Sequence, residues 1–235
     1  VIQERGRTLR TTSKLSDVLY LARTYRRAAL PHRLHVMIRR VTCPFDRVVD
    51  KVPAGGLHAD VGCGHGVLLA LLHRRNPAGA FLGLDIDRRK IDQARRCALD
   101  RIEYRCGVVD DLEPGSFDSM SVVDVLYLMP NSGKAQFLKA CARALKPGGT
   151  FVVKALVDTP RWKHRVIVLE EHVMVRIFKI TKGETIKITS PGVLAGMIRE
   201  AGFTEPEVIG LDRGYPYPHS LFVCRRADVE EGSAP

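Results

Sequence analysis

In "ADVGCGHG", residues 59–66, three glycines alternate at Gly62, Gly64 and Gly66, just after a carboxylate, Asp60. A backbone this bare lets a ligand lie close against the main chain. The spacing G-x-G-x-G departs from the dinucleotide fingerprint G-x-G-x-x-G, whose third glycine would fall at position 67, where Val67 stands. That argues against NAD or FAD. A second carboxylate, Asp85, closes "AFLGLD" 19 residues past Gly66. A carboxylate there can accept hydrogen bonds from both hydroxyls of a ribose. These residues therefore predict a ligand with a ribose and something small at the turn, with no need for a pyrophosphate grip.

The elements that position these groups follow from periodicity. "LHADVG" is an apolar run ending in glycine, a buried strand, and "GVLLALLHRR" after it is a helix. "AFLGLD", "IEYRCGVV", "SMSVVDVLYL" and "TFVVKALV" read as further strands, with helices at "RRKIDQARRCAL" and "GKAQFLKACARALK" between them. Strands alternating with helices predict an α/β fold, a doubly wound, mostly parallel sheet covered on both faces. Residues 158–189 break the rhythm and read as an insert or lid, since such links typically take ~2–6 residues. "SPGVLAGMIREAG" resumes the helical pattern. "PEVIGLD" and "HSLFVCRR" read as two final strands, antiparallel because their join is short.

Three helices precede the sheet. Leu15, Val18, Leu19 and Ala22 recur at helical spacing within residues 14–30, with Pro31 expected to end or kink that helix. "HRLHVMIRRV" and "CPFDRVVDKV" read as two shorter ones. The expected organisation is a basic helical cap over 1–50, a main domain over 51–226 and a disordered tail over 227–235.

"ADVGCGHG" with "FLGLDID" resembles the class I S-adenosylmethionine-dependent methyltransferases, over about residues 45–225. "SFDSMSVVDVLYLMP" and "ALKPGGTFVVKAL" extend the likeness. The resemblance implies a seven-stranded sheet with its last strand antiparallel and S-adenosyl-L-methionine as cofactor. It implies that Gly62, Cys63, Gly64 and Gly66 pass under the cofactor's methionine part, with Asp60 near its amino end. Asp85 would hold the ribose, Ile86 would pack on adenine, and Val123 would lie beside the methyl. The family often has an acidic residue directly after the glycine ending the third strand. Here Val108 follows Gly107 and the acids come later, at Asp110 and Asp111: either Asp110 is the adenine contact or both are solvated loop carboxylates.

Methyl transfer from a sulfonium is an in-line displacement with a neutral leaving group, so alignment and exclusion of water dominate. Asp124 is a candidate base, or a group that orients one or holds the cofactor or backbone, since a buried carboxylate needs partners. Tyr127 is a candidate to line the pocket or face the sulfonium, or it packs in the core. Lys154 stands where the ribose-methylating heat-shock RNA enzymes have a catalytic lysine, but Tyr127 stands where they need an aspartate. No Asn-Pro-Pro-Tyr follows the fourth strand, which disfavours methylation of base amino groups in nucleic acid. Trp162, between Arg161 and Lys163, is a candidate substrate contact. His164 and His172 in the same insert read as solvated, and Arg213, Tyr215, Tyr217 and His219 have no assigned role.

The chain's 235 residues suit one large α/β domain. Six cysteines without a C-x-x-C pair predict free thiols, no metal site and a reducing, cytoplasmic setting. No apolar run reaches the ~18 residues of a bilayer span, and "VIQERGRTLR" has no apolar centre, so no signal peptide is expected. Of the formal charge of +11, residues 1–50 carry +7, from eleven Lys/Arg and four Asp/Glu. Such an arm either favours an anionic partner, namely RNA or other nucleic acid, anionic membrane lipid or an acidic substrate, or is a solvated helix surface. The leading reading is a methyltransferase acting on a small-molecule or lipid-like substrate. The alternatives are an RNA methyltransferase and a non-catalytic cofactor-binding protein.

Overall fold

The computed structural model describes residues 14–97, 99–158, 188–211, 215 and 218–228. Seven strands form one sheet in the order β3-β2-β1-β4-β5-β7-β6: β1 Leu57–Val61, β2 Ala80–Asp85, β3 Ile102–Cys106, β4 Phe117–Val123, β5 Leu145–Leu156, β6 Glu207–Gly210 and β7 His219–Arg225. β1 to β5 pair in parallel, while β7 runs antiparallel to both β5 and β6. The expected sheet and its reversed last strand are both present. Chain order reverses at β1, which pairs with β2 on one side and β4 on the other. Such a switch point leaves a crevice at the carboxyl edge of the sheet. In register, Asp60 lies opposite Gly83 and Ser121, so the ends of β1, β2 and β4 share one level.

The helices are α1 Lys14–Thr24, α2 Leu30–Thr42, α3 Phe45–Val49, α4 Val67–Arg75, α5 Arg88–Arg95, α6 Asn131–Ala144 and α7 Pro191–Glu200. Pro31 does not end the first helix. α1 stops at Thr24, a 3-10 turn spans Tyr25–Arg27, and Pro31 lies in the first turn of α2. A first-turn amide has no helical partner, so proline costs nothing there. The fourth strand also stops earlier than "SMSVVDVLYL" suggests. β4 ends at Val123, Asp124 adopts φ 58°, and Leu126–Leu128 form a 3-10 turn. The apolar run looked continuous because the turn's leucine, Leu126, is buried as well.

The helices before the sheet share its core. Leu21, Tyr25, Val36, Phe45 and Val48 join one buried cluster with Val67, Leu68 and Leu71 of α4. Charge pins the same joint: Asp17 of α1 accepts from Arg40 of α2 at 2.8 Å and from Arg74 of α4 at 2.6 Å, and Arg40 reaches Asp46 of α3 at 3.0 Å. A buried carboxylate with two guanidinium partners has its lone pairs largely satisfied. The other face of the sheet packs Leu138, Cys141 and Ala144 of α6 and Leu194 and Ile198 of α7 against Phe151 and Phe222.

Of the insert expected at 158–189, only Asp158, Ile188 and Thr189 are described, and Thr189 accepts from Lys134 at 2.6 Å. Trp162, with Arg161, Lys163, His164 and His172, lies outside the described residues, as do Arg213, Tyr217 and tail residues 229–235. Ala227, placed in the tail, still donates its N–H to Gly202. No helix among the described residues is long and apolar enough to cross a membrane.

Candidate active site

A cavity of about 700 Å³ opens at the carboxyl edge of the sheet. Asp60, Gly62, Cys63, Gly64, Asp85, Ile86, Asp110, Val123, Asp124 and Tyr127 all line it, so most of the residues singled out from sequence converge. Its outer wall comes from elements where sequence flagged no site residue: His35 and Arg39 of α2, Phe45 of α3, and Gln136 and Phe137 of α6.

The glycine turn answers the question of its own spacing. Gly62, Gly64 and Gly66 all have positive φ, between 55° and 78°. A Cβ on Gly62 would overlap Val125, and one on Gly66 would overlap Tyr104. A Cβ on Gly64 would meet nothing within 4 Å. It would project into open space beside the cavity it lines. Gly66 precedes the first turn of α4, so that helix's unpaired N–H groups lie at the turn.

Asp85 sets the turn's shape. Its Oδ2 accepts the Gly64 N–H at 2.8 Å and its Oδ1 accepts the Asp87 N–H at 2.8 Å. Each carboxylate oxygen keeps a further lone pair for a ligand hydroxyl. Ile86 is 77% exposed, an apolar side chain left at the cavity wall. Asp110 lines the cavity too, but its carboxylate is exposed and pairs with Arg143 at 3.3 Å.

Asp60 is held from below by a chain that sequence reasoning missed. Ser121 donates to Asp60 Oδ1 at 2.6 Å, and the Nε2 of buried His58 lies 3.0 Å from the same hydroxyl. His58 Nδ1 meets Ser119 at 2.9 Å. Since Ser121 gives its proton to Asp60, His58 must donate from Nε2 and accept at Nδ1. Burial pushes Asp60 up to about 7, and the Asp85 carboxylate adds to this while Ser121 opposes it. The same burial keeps His58 neutral, at about 3. The signal available was alternation: polar Ser119 and Ser121 share one face of a strand that is buried almost throughout.

Asp124 caps β4 with a left-handed backbone, a conformation aspartate tolerates better than most residues. Its Oδ2 accepts from Arg39 at 2.7 Å and its Oδ1 from Lys154 at 2.5 Å. Burial alone would raise its pKa, but the Lys154 ammonium, then Arg39 and His219, overcome that and hold the carboxyl well below the usual range. Lys154 is fully buried on β5 behind this carboxylate, and His219 Nε2 lies 3.5 Å from its Nζ. Burial, with the neighbouring Lys154, brings His219 down to about 3. Cys43 Sγ lies 3.9 Å from Asp124, and burial pushes that thiol up to about 11, so it stays protonated. Tyr127 is half-buried, and burial followed by the Asp124 charge raises its phenol further above the ordinary value.

The glycine turn is also tied to the 3-10 turn before α2 and to α2 itself. Tyr25 donates to the carbonyl of His65 at 2.6 Å, and His32 Nδ1 lies 2.8 Å from His65 Nε2. Burial, with His35 and His32 close by, lowers His65 to about 4.

The residues present fit S-adenosylmethionine: open space where Gly64 lacks a side chain, a carboxylate at Asp85 with lone pairs left for hydroxyls, and a second, buried carboxylate at Asp60 in the same cavity. A methyltransferase-domain family model matches residues 59–149. The chain is 32% identical over 177 residues to the ubiquinone biosynthesis O-methyltransferase of Neisseria meningitidis, covering 72% of each. It is 30% identical over 192 residues to the enzyme of that name from Xylella fastidiosa, covering 78% of this chain and 75% of the relative. Among solved structures, a geranyl diphosphate methyltransferase in complex with S-adenosylmethionine superposes with TM-score 0.62 at 16% identity, over 83% of this chain and 90% of that one. Human N-acetylserotonin methyltransferase, also with S-adenosylmethionine, gives 0.62 at 18% identity, over 92% of this chain and 57% of that one. The chain therefore belongs to the class I S-adenosylmethionine-dependent methyltransferases.

Proposed function

We propose that this methyltransferase acts on an oxygen of a small or lipid-like organic molecule held between α2 and α6, and that Arg39 receives that oxygen as an anion. The observation that carries the reading is the row Arg39–Asp124–Lys154, two cations around one carboxylate at the end of β4. Its net positive charge is only partly in water, where it acts over a lower dielectric than at the surface. The O-methyltransferase relatives support oxygen as the nucleophile.

Bound S-adenosylmethionine supplies an activated methyl on a neutral leaving group, with Gly62 to Gly66, Asp60 and Asp85 as its holding residues. Asp124, held ionised by two cations, is poorly suited to accept a proton and serves instead to orient Arg39. Tyr127, with its phenol proton retained, closes the wall. The positive row favours the ionised form of a hydroxyl placed against it. The proton leaves towards the open mouth, where His35, lowered by burial and by Arg39, stays neutral and able to accept it. Six free cysteines, four of them buried, support a reducing, cytoplasmic setting.

The test pairs calorimetric titration of S-adenosylmethionine with labelled-methyl transfer to a panel of phenols and carboxylic acids. Wild type should bind the cofactor and label an oxygen. Asp85→Ala should bind it roughly ten- to a hundred-fold more weakly, through loss of about 1.5–3 kcal/mol of charged hydrogen bonding. Label found only in an RNA fraction would overturn the small-molecule reading. Cofactor binding with no acceptor ever methylated would leave a non-catalytic binding protein.

A further inference from the structure

Helix α2 has three faces with three different surroundings. Val36 and Arg40 are buried in the core. His35 and Arg39 line the cavity. Leu30, Leu34, Ile38 and Val41 are exposed, at 73%, 60%, 52% and 70%. Their spacing, four, four and three residues, draws one continuous stripe along the helix. α1 behaves likewise. The residues it buries are Asp17 and Leu21, while Leu15 and Leu19 are 71% and 54% exposed. Of the eleven large apolar side chains left exposed among the described residues, six lie on these two helices, which pack against each other. Isolated exposed leucines need no explanation, but a stripe of them does.

Exposed charge carried by α1, α2 and the turn between them has one sign. Arg23, Arg26, Arg27 and Arg33 are exposed, and no ion pair among the described residues engages any of them. Between residues 14 and 42 the only carboxylate is Asp17, and it is buried and bonded to Arg40 and Arg74. Exposed apolar side chains bordered by arginine, on helices that themselves expose no acid, complement a surface that is anionic outside and hydrocarbon beneath. RNA offers phosphate but no matching hydrocarbon for a stripe of leucine, isoleucine and valine.

We infer that the outward face of α1 and α2 is a docking surface for an anionic phospholipid bilayer. The inference rests on the shape and charge of these helices and stands apart from the methyl-transfer reading. The same helix lines the cavity one face round, so docking would bring the cavity wall to the lipid surface. A hydrophobic acceptor could then pass to the site without crossing bulk water.

The test is sedimentation of the full chain with vesicles of phosphatidylcholine alone and of phosphatidylcholine containing phosphatidylglycerol. Wild type should bind only the anionic vesicles and be released by salt. Arg26→Glu with Arg33→Glu should weaken binding at least about tenfold, each basic residue near the surface being worth about 1 kcal/mol. Leu34→Glu with Ile38→Glu should do the same at unchanged charge on the arginines. Both pairs are exposed, so unchanged affinity for S-adenosylmethionine certifies the fold. No binding to anionic vesicles overturns the inference, as does equal binding to neutral ones, or variants that bind like wild type. A concentration-dependent dimer abolished by Leu34→Glu, without vesicle binding, would assign the stripe to a second copy of this chain instead.

Discussion

Arg39 of α2 donates to Asp124 across 2.7 Å, although 85 positions separate them in the chain. This pair joins the helices before the sheet to the end of β4 and puts a guanidinium into the wall of the cavity at the sheet's carboxyl edge. Truncating it tests both roles at once. Arg39→Gln should lower kcat/KM for an oxygen acceptor roughly ten- to a hundred-fold, the value of a charged hydrogen bond. Cofactor affinity should change less than about twofold, because Arg39 hydrogen-bonds to Asp124 and to none of the residues proposed to hold the cofactor. Equal loss of both would assign Arg39 a structural role only.

Lys154 has the opposite profile. It is fully buried and faces Asp124 rather than the cavity. Lys154→Met removes one cation from a buried pair and should cost about 3–5 kcal/mol of stability, seen as a lower urea midpoint. A midpoint unchanged within error would mean that Arg39 alone satisfies Asp124.

The three glycines should separate by assay. Gly64→Ala places a methyl in open space, so its stability cost should be only the left-handed backbone, about 1–2 kcal/mol. Its cofactor affinity should nevertheless fall well over tenfold, because the methyl takes ligand room. Gly62→Ala and Gly66→Ala also overlap Val125 and Tyr104, and should add about 1–3 kcal/mol of overpacking. If Gly64→Ala binds S-adenosylmethionine normally, the cofactor does not lie over this turn.

Asp60 at about 7 predicts pH-dependent binding. A cationic amino group beside it requires the ionised carboxylate. Affinity for S-adenosylmethionine should be flat above pH 8 and weaken by up to about tenfold per unit below pH 7. Asp60→Asn should bind weakly at every pH and lose that slope. Titration calorimetry from pH 5.5 to 8.5 decides it.

Acid should unfold the protein early. His58, His65 and His219 are held neutral, at about 3, 4 and 3, against 6.5 when unfolded. The unfolded chain therefore binds more protons, and stability falls as pH drops from 6.5 towards 4. Asp60 acts oppositely: folded, it keeps a proton up to about 7, so its contribution falls as pH rises from 4 to 7. Three groups outweigh one, and the urea midpoint should be lower at pH 5 than at pH 7. His65→Gln should flatten that difference in part.

The sheet, the glycine turn and the two carboxylates beside it, Asp60 and Asp85, were legible in the sequence because each rests on local rules. Strand and helix periods are short-range, and positive φ restricts a close turn to glycine. The left-handed Asp124 was not legible, since "SVVDVLYL" reads as one apolar run whether or not the strand breaks inside it. Nor was Arg39, whose partner is distant in the chain. Periodicity marked the stripe on α1 correctly but carried no information on which way it faces. His58 and Ser121 were passed over because polar residues in a buried strand show their purpose only when the neighbouring strand is placed beside them.

Helix α2 builds core, cavity wall and outer surface from the same thirteen residues. Any lineage that retunes substrate choice through positions 35 or 39 must do so without disturbing positions 36 and 40, which close the core between them. Specificity in this enzyme is therefore free to drift in only a narrow register, one helical face wide, and diversification of acceptors should be sought first on α6, where Gln136 and Phe137 meet the cavity without sharing a buried ion pair.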